Sequence, residues 1–494
     1  MGDVRNAPLL SFNAQSLPSW VANEATLHDP VELRKRPSMF GRGSMWGTVF
    51  NTCAATLGAG ALSLPHAMAG MGLIPGSLLL VIIGLATHYS IVLIVAAIGA
   101  TNAPSFEELS QMVFGRRTRL AVELSIIMFC FGSCIAYSIA VGDILEPLLA
   151  LPWMQARLPW VGRDDVMVFF WLVFMLPLSF VERMTSLQWT SLFGVLALLY
   201  LVVAVSIHSA VDCAADPHNT IGRVKLANPS ADAISAMSII MFAFTCQVNI
   251  PSLYAELHNQ TPRQMSRVSV RAVTLSLLSY LAIGFAGYAN FADATQGNIL
   301  NNYCVLHPAQ SARTSQSSHV IAPAFIAITL TILMAYPVNL FPCRYSLTML
   351  LFSNTSRCTP RFRLVRHVGL TLGIAGLALV VALKVPNISV VFQLMGGTAS
   401  AYVCYCIPAA TAWRLRDQIP EMQSQLGRGA CVALFLTGLL VGILSTVVTL
   451  VELFGDHDSM PYDACNATAS HLNVSDASTH TQTGPYLTLR LAGW

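Results

Sequence analysis

The sequence predicts an all-α polytopic membrane protein. Three observations carry that prediction: composition, the spacing of apolar runs, and the sorting of basic residues. Of 494 residues, 54% are hydrophobic and only 10% are charged, against roughly 25% charged in a soluble domain. Mean hydropathy is +0.61. That much apolar surface exceeds what soluble cores of about 150 residues can enclose, so most of it faces lipid, which argues against a soluble enzyme. A formal net charge of +3, with basic residues in short clusters instead of a stripe, argues against a nucleic-acid partner.

A bilayer core takes about 20 apolar residues per helix. Eleven runs are read, over approximately 46–70, 73–99, 120–145, 166–182, 187–210, 232–256, 272–293, 319–343, 367–385, 388–412 and 430–453. The fourth is short and contains Pro177. Together they make one membrane domain at 46–453, between a polar arm at 1–45 and a tail at 454–494. With the arm in the cytosol, the internal segments hold most of the 27 Lys and Arg, as the positive-inside rule requires. An odd number of spans then leaves the tail outside. The tail carries Asn466-Ala467-Thr468 and Asn473-Val474-Ser475, glycosylation acceptors readable only on the exoplasmic side. The arm has no apolar h-region, so no cleavable signal is read and the first span acts as the insertion signal. Cys213, Cys304 and Cys465 fall in external segments, where a Cys213–Cys304 disulfide would join the loops after spans five and seven; three free thiols is the alternative. No His/Cys set has metal-ligand spacing.

Two spans are interrupted. In the first, Gly58-Ala59-Gly60-Ala61-Leu62-Ser63-Leu64-Pro65 occupies mid-depth. Glycine costs about 1 kcal/mol and proline about 3 in a helix interior, so the ladder opens most readily there. In the sixth, Phe242 to Pro251 again sets polar residues and a proline inside an apolar run. A packing notch with a proline kink would explain either alone. Two interruptions five spans apart instead signal an inverted five-helix repeat with its substrate between broken helices 1 and 6. Free amides beside Thr56, Gly58, Ala59, Gly60 and Ala61 suit a carboxylate. Carbonyls near Phe244, Thr245 and Cys246 suit an ammonium. A small molecule bearing both is an amino acid.

The first-span stretch GAGALSLPHAMAGMG, the sixth-span stretch FAFTCQVNIPSLYAEL and Tyr336 to Arg344 in span eight resemble the amino acid/auxin permease family, in the right order and over about Ser44 to Glu452. Within that family, the chain is similar to permeases expanded in trypanosomatid protozoa. The resemblance implies a leucine-transporter-like fold, alternating access and an external cysteine pair. Sodium-coupled members place an asparagine four residues before the first glycine of GxG and a hydroxyl two residues before the proline of span eight. This chain has Ala54 and Ala335 there, and hard cations need more oxygen ligands than the remaining carbonyls readily give. Proton coupling is therefore expected ahead of sodium. Asn51, His66 and His88 are the candidates for bracing or proton transfer, although a lone histidine is more often simply packed.

Specificity is expected from Ser133, Cys134 and Tyr137 in span three, Phe244 in span six and Tyr336 in span eight. No acidic residue is placed at mid-depth among them, which favours neutral amino acids, with arginine or lysine kept as an alternative. A membrane enzyme would need a catalytic constellation that the sequence does not present. An amino-acid sensor that does not transport is the closer rival. No cofactor is expected, and the plasma membrane is preferred over an internal acidic organelle.

Overall fold

The computed structural model describes residues 44–149, 156–157, 160–180, 187–215, 223–230, 232–303, 311–352, 360–385 and 387–454. Among these there is no strand, and nine helices are long and apolar enough to cross a membrane. The other two expected spans do not form one long helix each. The first comprises Met45–Thr56, a 3-10 turn at Ala59–Ser63, and Leu64–Met71. The fourth comprises Arg163–Phe170, a π-helical turn at Trp171–Met175, and Leu176–Ser179. Cys304 and the Asn466 and Asn473 acceptors lie outside the described residues. Tyr303, beside Cys304 in sequence, packs edge-on against His208, with ring centroids 5.1 Å apart.

Several helices run past their expected ends, because polar residues continue a helix once it has left the hydrocarbon. The third span covers Arg116–Leu149, the seventh Pro262–Phe291 and the eighth Ser311–Phe352. A further amphipathic helix, Phe106–Phe114, precedes the third span. Its start has a simple chemical cause, since Ser105 Oγ accepts from the Glu108 amide and Glu107 and Glu108 sit in the first turn.

The irregular stretches trace to prolines, which have no amide hydrogen to give to the ladder. The fourth-span π turn lies just before Pro177. In the tenth span, π geometry runs over Gly396–Cys406, just before Pro408. Pro408 cannot donate to the carbonyl of Cys404, and Ser90 Oγ from the second span donates to it instead. A polar group freed in hydrocarbon is thus satisfied from a neighbouring helix. The tenth span packs between the sixth and eleventh, and glycine is required at its closest approach: a Cβ on Gly396 would collide with the Ser238 carbonyl.

The remaining spans pack continuously, the fifth touching both the seventh and the eighth. The third and eighth spans form an extensive interface that also engages the ninth, while the seventh packs on the first, second and fifth. The charged side chains buried at helix ends are paired: Arg119–Glu123 and Arg163–Asp143, each at 2.7 Å. Pairing of this kind is what makes a buried charge tolerable.

Candidate functional site

The breaks of the first and sixth spans meet each other. A Cβ added to Gly60 would lie 2.9 Å from Ala243 Cα, so only glycine lets the two backbones come this close. At the first break, the Leu57 amide still reaches the Cys53 carbonyl, but the Gly58 amide turns back to Thr56 at 2.9 Å. Among the described residues, the amides of Ala59 and Gly60 have no backbone acceptor. Gly58 itself is extended, with φ −119° and ψ −160°, and nothing lies within 4 Å of the position of its missing Cβ. Ala61 is buried and donates to the Gly58 carbonyl.

At the sixth break, helix Asp232–Ala243 ends, and helical geometry resumes at Gln247–Asn249 and Ile250–Glu256. The Phe244 and Thr245 amides fold back to Ile240 and Phe242, at 3.3 and 3.0 Å. Their own carbonyls accept no backbone bond among the described residues. The Cys246 amide donates to Gln247 Oε1 at 2.9 Å, so the side chain caps the backbone that its own helix left open.

Tyr280, from the seventh span, joins the two. Its buried hydroxyl lies 2.7 Å from the Thr56 carbonyl and 2.7 Å from the Ala243 carbonyl, sharing one proton between the ends of both first half-helices. Phe244 meets the same ring edge-on at 5.1 Å. Phe242 stacks on Phe392 of the tenth span at 4.5 Å, and Phe129 of the third span lies 5.6 Å from Phe242. The result is a neutral, aromatic-walled meeting of two helix breaks. Amides that can receive a carboxylate lie on one side, and carbonyls that can receive an ammonium on the other.

A family model described as transmembrane amino acid transporter protein matches residues 41–451. The chain belongs to that family. It is 25% identical to the amino acid transporter AVT6E of Arabidopsis thaliana, over 84% of this chain and 84% of the relative. It is 26% identical to vacuolar amino acid transporter 5 of Schizosaccharomyces pombe, over 84% of this chain and 96% of that one. Among solved structures, a histidine variant of the Eremococcus coleocola manganese transporter is 13% identical, with a TM-score of 0.52 over 87% of this chain and 92% of that chain. This last likeness concerns the fold alone, which is leucine-transporter-like.

Within this amino acid transporter family member, the remaining sequence candidates fall into separate places. Thr56 and Thr245 sit at the breaks, yet each hydroxyl donates to the carbonyl four residues back, those of Thr52 and Met241. Ser133 does the same with Phe129. Cys134 reaches the Tyr336 carbonyl at 4.0 Å, Tyr137 takes a long bond from Asn339 at 3.5 Å, and the Tyr336 hydroxyl accepts from Trp171 Nε1 at 3.2 Å. These bonds run among the third, fourth and eighth spans.

His66 Nδ1 donates to the Thr295 carbonyl at 3.1 Å, and Ser63 Oγ donates to the Gly297 carbonyl. The loop after the seventh span is thereby held on the second half of the first. His88 pairs with Ser269 of the seventh span at 3.0 Å, and Asn51 is half-buried in the first half of the first span. Ala335 lends its carbonyl to Asn339. Sequence reasoning missed Tyr280 and Gln247. Gln247 left a signal, an amide side chain inside an apolar run, whereas Tyr280 left none, because its partners are backbone atoms of other helices.

Proposed function

We propose that this transporter moves neutral amino acids across its membrane by alternating access, coupled to protons. One observation carries the reading. Two amides, of Ala59 and Gly60, and two carbonyls, of Phe244 and Thr245, that have no backbone partner among the described residues are brought together by breaks that Tyr280 holds in register. Backbone left open in hydrocarbon must line a cavity or hold a ligand, and this pairing of donors with acceptors fits a zwitterion. The site's own residues carry no charge, which favours a substrate with an uncharged side chain. Ala54 and Ala335 supply no side-chain oxygen for sodium, which supports the proton. His66 and His88 are the residues through which it would pass, each already hydrogen-bonded across two elements.

For the membrane of residence, the relatives named as vacuolar support an internal acidic compartment over the plasma membrane expected above. There, luminal protons would drive amino acids toward the cytosol by symport.

The test is flux through the full-length protein reconstituted in liposomes, with all twenty radiolabelled amino acids, sodium replaced by choline, and an imposed pH gradient. Saturable, proton-stimulated, sodium-independent flux of neutral amino acids is expected. Saturable binding without flux would establish the sensor instead. Loss of flux on sodium removal would overturn proton coupling, and preferential flux of arginine or lysine would overturn the neutral assignment.

A further inference from the structure

A second feature lies away from the helix breaks, on the lipid side of the third, eighth and ninth spans. There a groove of about 360 Å³ is lined by residues including Ile127, Phe131, Leu347, Gly369, Gly373 and Leu377, with no charged or hydroxyl side chain in its walls. Missing side chains open it, since a Cβ on Gly369 or Gly373 would meet nothing within 4 Å. The ninth span, Pro360–Ala382, supplies one wall. At three to four residues per turn, Arg366, Gly369, Gly373 and Leu377 fall on a single face, with Arg363 one turn earlier. From Arg366 to Leu377 is ~16 Å at about 1.5 Å per residue, close to the half-thickness of a hydrocarbon core about 30 Å deep. The groove therefore runs from a basic helix end toward mid-membrane.

The charge at that end is one-sided. Residues 341–385 contain no Asp or Glu, and Arg361 and Arg363 are exposed. Arg366 is half-buried, its guanidinium 5.4 Å from the centre of the Phe352 ring. On the facing third span, Glu123 is engaged by Arg119 at 2.7 Å, and Glu107 and Glu108 also lie toward Arg119. Among the described residues, no acidic side chain pairs with Arg361, Arg363 or Arg366. Arginine forks match phosphate geometry, and juxtamembrane basic clusters attract anionic lipid.

We propose that this groove is a binding site for one anionic phospholipid, with an acyl chain along Gly369 and Gly373 and the headgroup phosphate at Arg363 and Arg366. A recess of leaflet depth, apolar along its walls and basic at one end, matches the acyl chain and phosphate of that molecule. The inference stands apart from the amino-acid reading and does not depend on it.

Native mass spectrometry of the full-length protein, released from nanodiscs of equal phosphatidylserine and phosphatidylcholine, tests it. One retained phosphatidylserine is expected, favoured at least about fivefold over phosphatidylcholine. Gly373→Leu, which fills open space, and the double variant Arg363→Gln/Arg366→Gln are each expected to lower that occupancy at least about fivefold. Lys225→Gln, at a basic residue outside the groove, is expected to leave it unchanged. Equal retention of both lipids, full occupancy in Gly373→Leu or in the arginine variant, or loss in Lys225→Gln would each overturn the site. A dimer mass that Gly373→Leu abolishes would assign the groove to a second copy instead.

Discussion

The first span opens at Leu57 and Gly58 through glycines and a following proline, whereas the sixth opens at Phe244 to Cys246 with no glycine in the break. In the first, the backbone is free to leave the helix, and the limiting quantity is space: Gly60 presses on Ala243 while Gly58 faces a void. In the sixth, side chains hold the opened backbone, with Gln247 on the Cys246 amide, Thr245 on the Met241 carbonyl and Tyr280 on the Ala243 carbonyl. One break is therefore limited by volume and the other by hydrogen bonds. Steric changes should strike the first, and deletions of donors or acceptors the second, with Tyr280 reaching both.

The largest effect is expected from Gly60→Val. Its side chain would have to enter the contact with Ala243 Cα at 2.9 Å, and overpacking of this kind costs typically about 1–3 kcal/mol or more. Uptake per surface-expressed protein should fall at least about 100-fold, because the two breaks could no longer meet. Uptake within about twofold of wild type would mean that the first break is not limited by space.

Tyr280→Phe comes next, since it keeps the ring against Phe244 and removes only the hydroxyl. The Ala243 carbonyl then loses its donor, and the Thr56 carbonyl keeps only the Gly58 amide. Leaving a buried polar group unsatisfied costs about 1–3 kcal/mol, and each 1.36 kcal/mol is about tenfold in rate. A loss of roughly 10- to 100-fold in kcat/KM is expected, with expression maintained. If transport instead stays at the wild-type level, Tyr280 does not hold the breaks in register.

These two residues also mark how far sequence reaches. Gly60 was legible because glycine in an apolar run has few purposes, and the proline at 65 fixes where the ladder fails. Tyr280 was not, because a tyrosine in an apolar helix reads as packing, and the carbonyls it serves belong to residues 224 and 37 positions away. The same reason hid the link from Ser90 to the Cys404 carbonyl, which Pro408 leaves open. Order and approximate depth of the spans follow from hydropathy alone, which is local. Helix ends and the Phe106–Phe114 helix depended on polar residues that hydropathy discounts, although Ser105 and Glu108 did carry a capping signal. Ser133, Tyr137 and Tyr336 were proposed from depth alone, and depth does not say which neighbour a helix face meets.

Gln247→Ala sharpens the comparison on the hydrogen-bonded side. It strips the acceptor from the Cys246 amide, one bond where Tyr280 serves two carbonyls, so a smaller loss of roughly three- to tenfold in kcat/KM is expected. Gln247→Glu keeps an acceptor oxygen and should recover part of the activity. Equal damage from both variants would show that the amide group acts elsewhere than on Cys246.

Gly58→Ala should have the smallest effect, and it separates the two sides of the first break. The residue's extended φ of −119° is open to alanine, and no atom lies within 4 Å of the new Cβ. Replacing glycine at a compatible position removes unfolded-state freedom and stabilises by about 0.4–1 kcal/mol, so thermal stability should hold or rise slightly. The added methyl nonetheless occupies the void beside the free amides of Ala59 and Gly60. KM should rise about threefold, more for amino acids with bulky side chains than for glycine or alanine. A substrate-independent change would place that void outside the binding path, leaving the first break only Gly60 as its point of contact with function.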